Sequence, residues 1–197
     1  MSLKLGKMTA ALACVALVAG LLAGNASGES RNRALERLVA QGMFNSDEGA
    51  RMQRAFAAAV QAGVQERDAL SLVEACVSAE FDAPQALRLL SIATQLALER
   101  LPVDGLISKV EEGGGKRVPP DRVVAAAERR ALMLNKAKLI LNSLALQGLA
   151  MDNRDELLTD LAAALEAGRT PGESEAILSE ALKTGESPGS IRRKLFP

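Results

Sequence analysis

Proline and glycine recur along residues 27–197 at intervals that fit one short helix and one turn. Eighteen residues separate Pro84 from Pro102 and Pro102 from Pro120, and 17 residues separate Gly168 from Gly185. Proline is tolerated in the first turn of a helix but disrupts its interior, whereas glycine commonly follows a helix end. This punctuation predicts a series of short helices. We expect them to form antiparallel helical hairpins, arranged as a bundle or a stacked array.

The composition favours the same all-α class. Hydrophobic residues make up 48% of the 197 residues, but aromatic residues only 2%, with four Phe and no Trp or Tyr. The apolar residues are mostly Ala and Leu, which have high helix propensity, while aromatic and β-branched residues favour strands. No stretch of useful length alternates between apolar and polar residues. We therefore predict no β-sheet.

The predicted helices follow from their start and stop signals. Thr170 and Glu173 match a capping box, and Asp82 is a typical N-cap residue. We predict a break over Gly113–Gly115, so that residues 27–197 form a single helical domain with a Gly/Pro-rich joint at 113–120. The predicted helices cover about 30–41, 46–62, 66–79, 84–100, a short one from 102, 121–147, 152–167, 171–184 and a last one from 188.

The first 26 residues are typical of a signal peptide for export. Lys4 and Lys7 precede an uncharged apolar run over residues 8–24, and Gly24 and Ala26 supply small residues for a cleavage site. We predict cleavage after Ala26. Two alternatives stay open: the run could remain as a membrane anchor, or the preceding Leu-Ala could make Cys14 a lipidation site.

Cleavage would leave Cys76 as the single cysteine, which cannot form a disulfide within the chain. It lies among Leu72, Val73 and Val77, so we predict a small buried hydrophobe. An intermolecular disulfide is the alternative in an oxidising compartment. Cleavage would also leave 22 basic and 24 acidic residues. This balance gives no electrostatic footprint for nucleic acid, so we predict that nucleic acid is not a partner.

Residues 139–151 are largely apolar and follow Lys136 and Lys138. A run of 13 residues is too short to cross a membrane. We predict a central helix of the core at this position.

Two neighbouring sequence segments resemble those of a known group of proteins. They are LPVDGLISKVEEG at residues 101–113 and VPPDRV at 118–123. The segment 100–130 resembles uncharacterised exported helical proteins of proteobacteria. The resemblance implies an exported α-helical protein. Its motifs mark where helices start and end, and they imply no functional-site residue.

The absence of histidine excludes several kinds of active site. The chain has no histidine, so Ser-His-Asp and Cys-His catalysis and histidine-based zinc sites cannot form. Carboxylate chemistry remains open. However, Glu111–Glu112 and Asp155–Glu156 are consecutive pairs, and neighbours on a helix diverge by about 100°. We therefore predict no catalytic residues.

No cofactor or metal site is predicted either. Gly113–Lys116 lacks the Ser or Thr that follows the lysine of a phosphate-binding loop, and a helix-ending linker is the better interpretation. Residues 152–156 lack the glycine and glutamate of a calcium loop, so we interpret them as a helix cap. Scattered methionines fit core packing better than copper binding.

These observations predict a non-enzymatic protein-interaction or structural module of the cell envelope, located in the periplasm or secreted. Its expected partner is another envelope protein or a second copy of the chain. Two alternatives are a carboxylate-dependent cell-wall hydrolase and a chaperone-like stress protein of the periplasm. Membrane contact is expected only through an uncleaved N-terminal segment.

Overall fold

The computed structural model of the protein describes residues 35–41 and 44–196. The predicted signal segment at 1–26, with its cleavage site and Cys14, lies outside the described residues. The described part of the chain is all-helical, with nine α-helices and no strand. The all-α prediction is therefore confirmed.

The helices are joined by short connections. In chain order they are α1 (35–41), α2 (Ser46–Gln61), α3 (Glu66–Ser78), α4 (Ala83–Leu98), α5 (Asp104–Gly115), α6 (Pro120–Leu146), α7 (Arg154–Glu166), α8 (Pro171–Lys183) and α9 (Pro188–Leu195).

Several helix starts are as the sequence predicts. Asp82 caps α4 and Thr170 caps α8, each through a reciprocal capping box with the residue three positions later. Ser187 caps α9. The start of α2 at Ser46 is also as predicted, and Asn45 is its N-cap, since the Asn45 side chain accepts a hydrogen bond from the backbone N–H of Glu48.

Helix ends follow two patterns. Four glycines with positive φ follow α2, α6, α7 and α8, as the glycine pattern predicts; they are Gly63, Gly148, Gly168 and Gly185. The ends of α3, α4 and α5 instead place Glu80, Arg100 and Arg117 in the left-handed region, with φ between 52° and 57°. A side chain there costs about 1–2 kcal/mol relative to glycine. Backbone hydrogen bonds across each helix end accompany this conformation, since the N–H groups of Phe81, Leu101 and Val118 donate to carbonyls of the last helical turn.

The predicted break at Gly113–Gly115 is wrong, because α5 continues through all three glycines and ends at Gly115, with Lys116 as its C-cap. The reason is close helix packing. A Cβ atom on Gly113 would lie 2.5 Å from Cγ2 of Val123 on α6, and one on Gly114 would lie 2.8 Å from Cβ of Ala79. The first two glycines therefore let α5 approach its neighbours, and only residues 116–119 form the joint.

The helices stack as an array of hairpins. Besides its neighbour in sequence, a helix packs on the helix two positions further along: α2 on α4, α3 on α5, α4 on α6, α6 on α8, and α7 on α9. One continuous core of Ala, Leu and other apolar side chains runs through them. Its largest fully buried members are Phe81, Met52, Leu72, Leu89, Leu90, Leu96, Leu106, Leu134, Leu141, Leu144, Leu161 and Leu178.

Helix α6 is central, as predicted, since α4, α5, α7 and α8 all pack on it. Its sequence is not buried all round, however. Leu139 and Leu146 are exposed, whereas Ile140, Leu141 and Leu144 are buried. The largely apolar run 139–151 therefore covers the core with only one face.

Cys76 lies in the core, as predicted for a small hydrophobe. Only 1% of the residue is exposed, and burial raises the pKa of its thiol to about 12. Such a thiol offers no accessible sulfur for an intermolecular disulfide. Within the described ranges, no helix combines the length and the apolar character needed to cross a membrane.

Candidate functional site

Three leucines on one line of α6 form the most exposed apolar feature of the described residues. Leu132, Leu139 and Leu146 are spaced by seven residues and are 52%, 67% and 90% exposed. Seven residues fall about 20° short of two full helical turns, so the three side chains share one face. At a rise of 1.5 Å per residue, they span about 21 Å. We refer to these three residues as the leucine stripe.

Polar side chains flank the leucine stripe. Asn135 and Lys136 lie between the first two leucines, and Asn142 and Ser143 lie between the second pair. Lys136 and Asn142 are exposed, and the other two are partly buried. An apolar centre within a polar border is the usual anatomy of a protein–protein interface.

Ion pairs hold α6 on α4 in a fixed orientation. Nε of Arg88 on α4 lies 2.7 Å from Oε1 of Glu128, and Nζ of Lys138 donates to Oε2 of Glu99 at 2.5 Å. Along both helices the second pair follows the first, so α4 and α6 run parallel. These contacts lie outside the leucine stripe and leave it uncovered.

Hydrogen bonds near the C-terminal half of α6 add to this orientation. Nη2 of Arg154 donates to Oδ1 of Asn142 at 2.6 Å. Oγ of Ser143 lies 3.0 Å from Oε1 of Glu175 on α8. The same residues that border the leucine stripe therefore attach α6 to α7 and α8.

A groove of about 610 Å³ between α3 and α5 is the second feature that could carry a function. Glu74 of α3 and Glu111 of α5 both line it, together with small residues such as Ala75, Ala79 and Gly114. Close packing of Gly114 on Ala79 forms the floor. Sequence reasoning missed this pairing, because the two glutamates are 37 positions apart and meet only through the packing of α3 on α5.

The carboxylate pairs that are adjacent in sequence do not act together. Glu112 bonds to Lys116, one turn further along α5, and this hydrogen bond lowers the pKa of the Glu112 carboxyl. Asp155 and Glu156 lie in the first turn of α7, where acidic side chains favour the helix dipole. Among the described residues there is no group of three or more Cys, Asp or Glu side chains that could hold a metal ion.

The leucine stripe has no titratable group of its own, and the α3–α5 groove offers two carboxylates, those of Glu74 and Glu111. Comparison of the chain with models of protein families, with curated proteins and with solved structures finds no match. The resemblance of residues 100–130 to exported helical proteins therefore stays a prediction.

Proposed function

We propose that this protein is a non-enzymatic interaction module of the cell envelope that binds a partner through the leucine stripe. The observation that supports this most directly is the exposure of three large apolar side chains on one line. Isolated exposed leucines are ordinary on protein surfaces, whereas apolar residues grouped on one face within a polar border are typical of interaction sites. The location outside the cytoplasm rests on the predicted signal segment at residues 1–26.

The shape of the stripe suits an amphipathic helix as the partner element. A length of about 21 Å corresponds to about four helical turns of a partner, which would place apolar residues at matching intervals. The flanking Lys136 and Asn142 can then bond to the polar edge of that partner. A second copy of the chain or another envelope protein can supply such a helix.

The energy available from the stripe indicates a reversible complex. Burying one leucine contributes about 1.5–3 kcal/mol, and association costs at least about 4 kcal/mol in lost freedom. Three leucines therefore leave only a modest surplus. We expect a complex that forms and dissociates, unless further surface contributes.

Co-purification of the full-length exported protein from the envelope fraction tests the proposal. Leu139→Gln and Leu146→Gln together should abolish recovery of a stoichiometric partner, because glutamine keeps helix propensity but does not bury favourably. Phe196→Gln is the control: this exposed apolar residue follows α9, which packs on α7 and α8.

Three outcomes are informative. Loss of the partner in the stripe variant alone supports the proposal. Equal recovery from all variants contradicts it. A mixture of many unfolded proteins, lost in the same variant, would favour the chaperone-like function over a specific partner.

A carboxylate-dependent cell-wall hydrolase is the second candidate, and the α3–α5 groove favours it, because Glu74 and Glu111 line the same cleft. Glycoside hydrolysis uses two carboxyl groups on either side of the bond that breaks. Release of fragments from purified cell wall should then vanish in Glu74→Gln and in Glu111→Gln but persist in Glu112→Gln. Activity that survives both groove variants, or is absent from the unmodified protein, removes this candidate.

A further inference from the structure

A second groove, of about 500 Å³, lies between α5 and α7 on the surface of α6. Both flanking helices pack on α6, and an ion pair between Lys109 of α5 and Glu166 of α7 bridges the gap between them. We call this feature the basic groove, and it is lined by Lys109, Arg122, Ala125, Ala126, Arg129 and Glu166.

Positive charge in the basic groove exceeds negative charge. Glu166 is the single acidic residue of its lining, and one oxygen of that carboxylate serves two cations. Oε2 of Glu166 lies 3.4 Å from Nη1 of Arg130 and 3.6 Å from Nζ of Lys109. Arg122 and Arg129 form no side-chain hydrogen bond or ion pair with another described residue. Two guanidinium groups thus border the groove with their charge uncompensated.

The floor of the groove leaves room for a ligand between these two arginines. Arg122, Ala125, Ala126 and Arg129 follow one another at intervals of three, one and three residues, which places them on one face of α6. The two arginines are about 10 Å apart along the axis. The two alanines between them are exposed and carry only methyl groups. Both long side chains can therefore fold toward an object lying on the alanines.

Arg130 adds buried charge beside the groove. Only 10% of its side chain is exposed, and a Cβ atom on Gly105 would lie 3.6 Å from its Nε atom. The guanidinium therefore lies directly beside the backbone of α5, where it forms its ion pair with Glu166.

We propose that the basic groove binds a small polyanion with two or more phosphoryl or carboxylate groups. Arg122 and Arg129 each contact one anionic group, since a guanidinium matches the planar oxygen pairs of carboxylate and phosphate. Lys109 and Arg130 share the single carboxylate of Glu166, so these three groups add one net positive charge beside the two arginines. A nucleic-acid strand fits less well, because the groove is short and the mature chain carries a slight excess of acidic residues.

Titration calorimetry of the full-length protein with pyrophosphate and with citrate, at low ionic strength, tests the proposal. We expect saturable binding of one equivalent of at least one probe. Arg122→Gln and Arg129→Gln should each weaken binding at least tenfold. Arg67→Gln removes the same charge from an exposed position on α3 and should change binding less than twofold. Both groove arginines are exposed, so thermal unfolding should stay unchanged in these variants.

Three results would overturn the proposal. The first is no saturable binding of either probe to the unmodified protein. The second is an equal loss in Arg67→Gln, which would show diffuse attraction by total charge. The third is tighter binding of a 20-nucleotide single strand through the same two arginines. As a steric check, Ala126→Leu should block binding without removing any charge.

Discussion

Gly113 of α5 faces Val123 of α6 so closely that a Cβ atom on the glycine would lie 2.5 Å from Cγ2 of the valine. Real side chains essentially never come so near. The pair shows why a run of three glycines sits inside a helix: at this crossing the backbone of α5 packs directly on an α6 side chain. The contact fixes how closely α5 packs on α6.

Gly113→Ala should therefore destabilise the protein, whereas Gly115→Ala should not. The added methyl group at 113 forces the two helices apart, and overpacking of this kind typically costs about 1–3 kcal/mol. Gly115 has no atom within 4 Å of its added Cβ, so alanine there gains helix propensity, up to about 1 kcal/mol. Urea unfolding of the two variants measures both changes. A stabilising Gly113→Ala would show that the close contact does not exist.

The stability of the protein should decrease above pH 9 because of Cys76. The ordinary pKa of the thiol is 9.0, and burial raises it to about 12 in the folded protein. Between these values the unfolded chain loses a proton that the folded chain keeps. The free energy of unfolding should then fall by about 1.4 kcal/mol per pH unit.

Urea unfolding at pH 9 and pH 10, in a chain where Ser replaces Cys14 throughout, measures this effect. Cys76→Ala should remove the part of the decrease in the free energy of unfolding with pH that the thiol contributes. An identical pH dependence with and without the thiol would contradict the prediction.

Thr170→Ala should destabilise α8 by about 1 kcal/mol. Oγ1 of Thr170 accepts from the backbone N–H of Glu173, and the Glu173 carboxylate accepts from the hydroxyl and the backbone N–H of Thr170. Thr159→Ala is a matched control, since this exposed threonine bonds only to the carbonyl of Asp155 within α7. Thermal unfolding of both variants measures the difference.

The same cap predicts a pH effect on stability. Hydrogen bonds from the Thr170 hydroxyl, and then from its backbone N–H, hold the pKa of the Glu173 carboxyl below its ordinary value of 4.5. A lowered pKa means that the folded state favours the ionised form. This contribution is therefore present above pH 4.5 and is lost as the pH falls through the folded pKa. It should be missing from Thr170→Ala.

Glu166→Gln should destabilise the protein by about 2 kcal/mol, because it leaves Arg130 buried without a carboxylate partner. Lys109→Gln should cost less than about 1 kcal/mol, since this lysine is one-third exposed. The double variant Arg130→Met with Glu166→Met should recover most of the loss, because it buries no charge. Urea unfolding of the three variants measures their free energies of unfolding and tests the predicted order of stability. A double variant less stable than Glu166→Gln would contradict it.

Local signals in the sequence predicted most helix bounds. Asp82, Thr170 and Ser187 are N-caps because their side chains accept bonds from backbone groups nearby in the chain, and the glycines after α2, α6, α7 and α8 need only their own freedom at positive φ. The ends of α3, α4 and α5 carry no glycine signal, because Glu80, Arg100 and Arg117 take the left-handed conformation there, which residues with a side chain do not favour.

The two grooves proposed as functional sites exist only because of tertiary packing. Glu74 and Glu111 share a groove only because α3 packs on α5, and Lys109 meets Glu166 only because both flanking helices lie on α6. Residues far apart in the chain leave no periodic signal in a single sequence. No candidate site could be predicted for that reason.

Helix α6 shows most clearly which features the sequence determines and which features depend on tertiary packing. The sequence by itself predicted a helix over about 121–147, which the structure places at Pro120–Leu146. The leucines of this helix recur every seven residues in two columns, Leu132–Leu139–Leu146 and Leu134–Leu141. Both columns satisfy the same spacing and face about 200° apart. Only the tertiary packing decides between them, because α4, α5, α7 and α8 cover the face of α6 that carries the second column and leave the first column exposed.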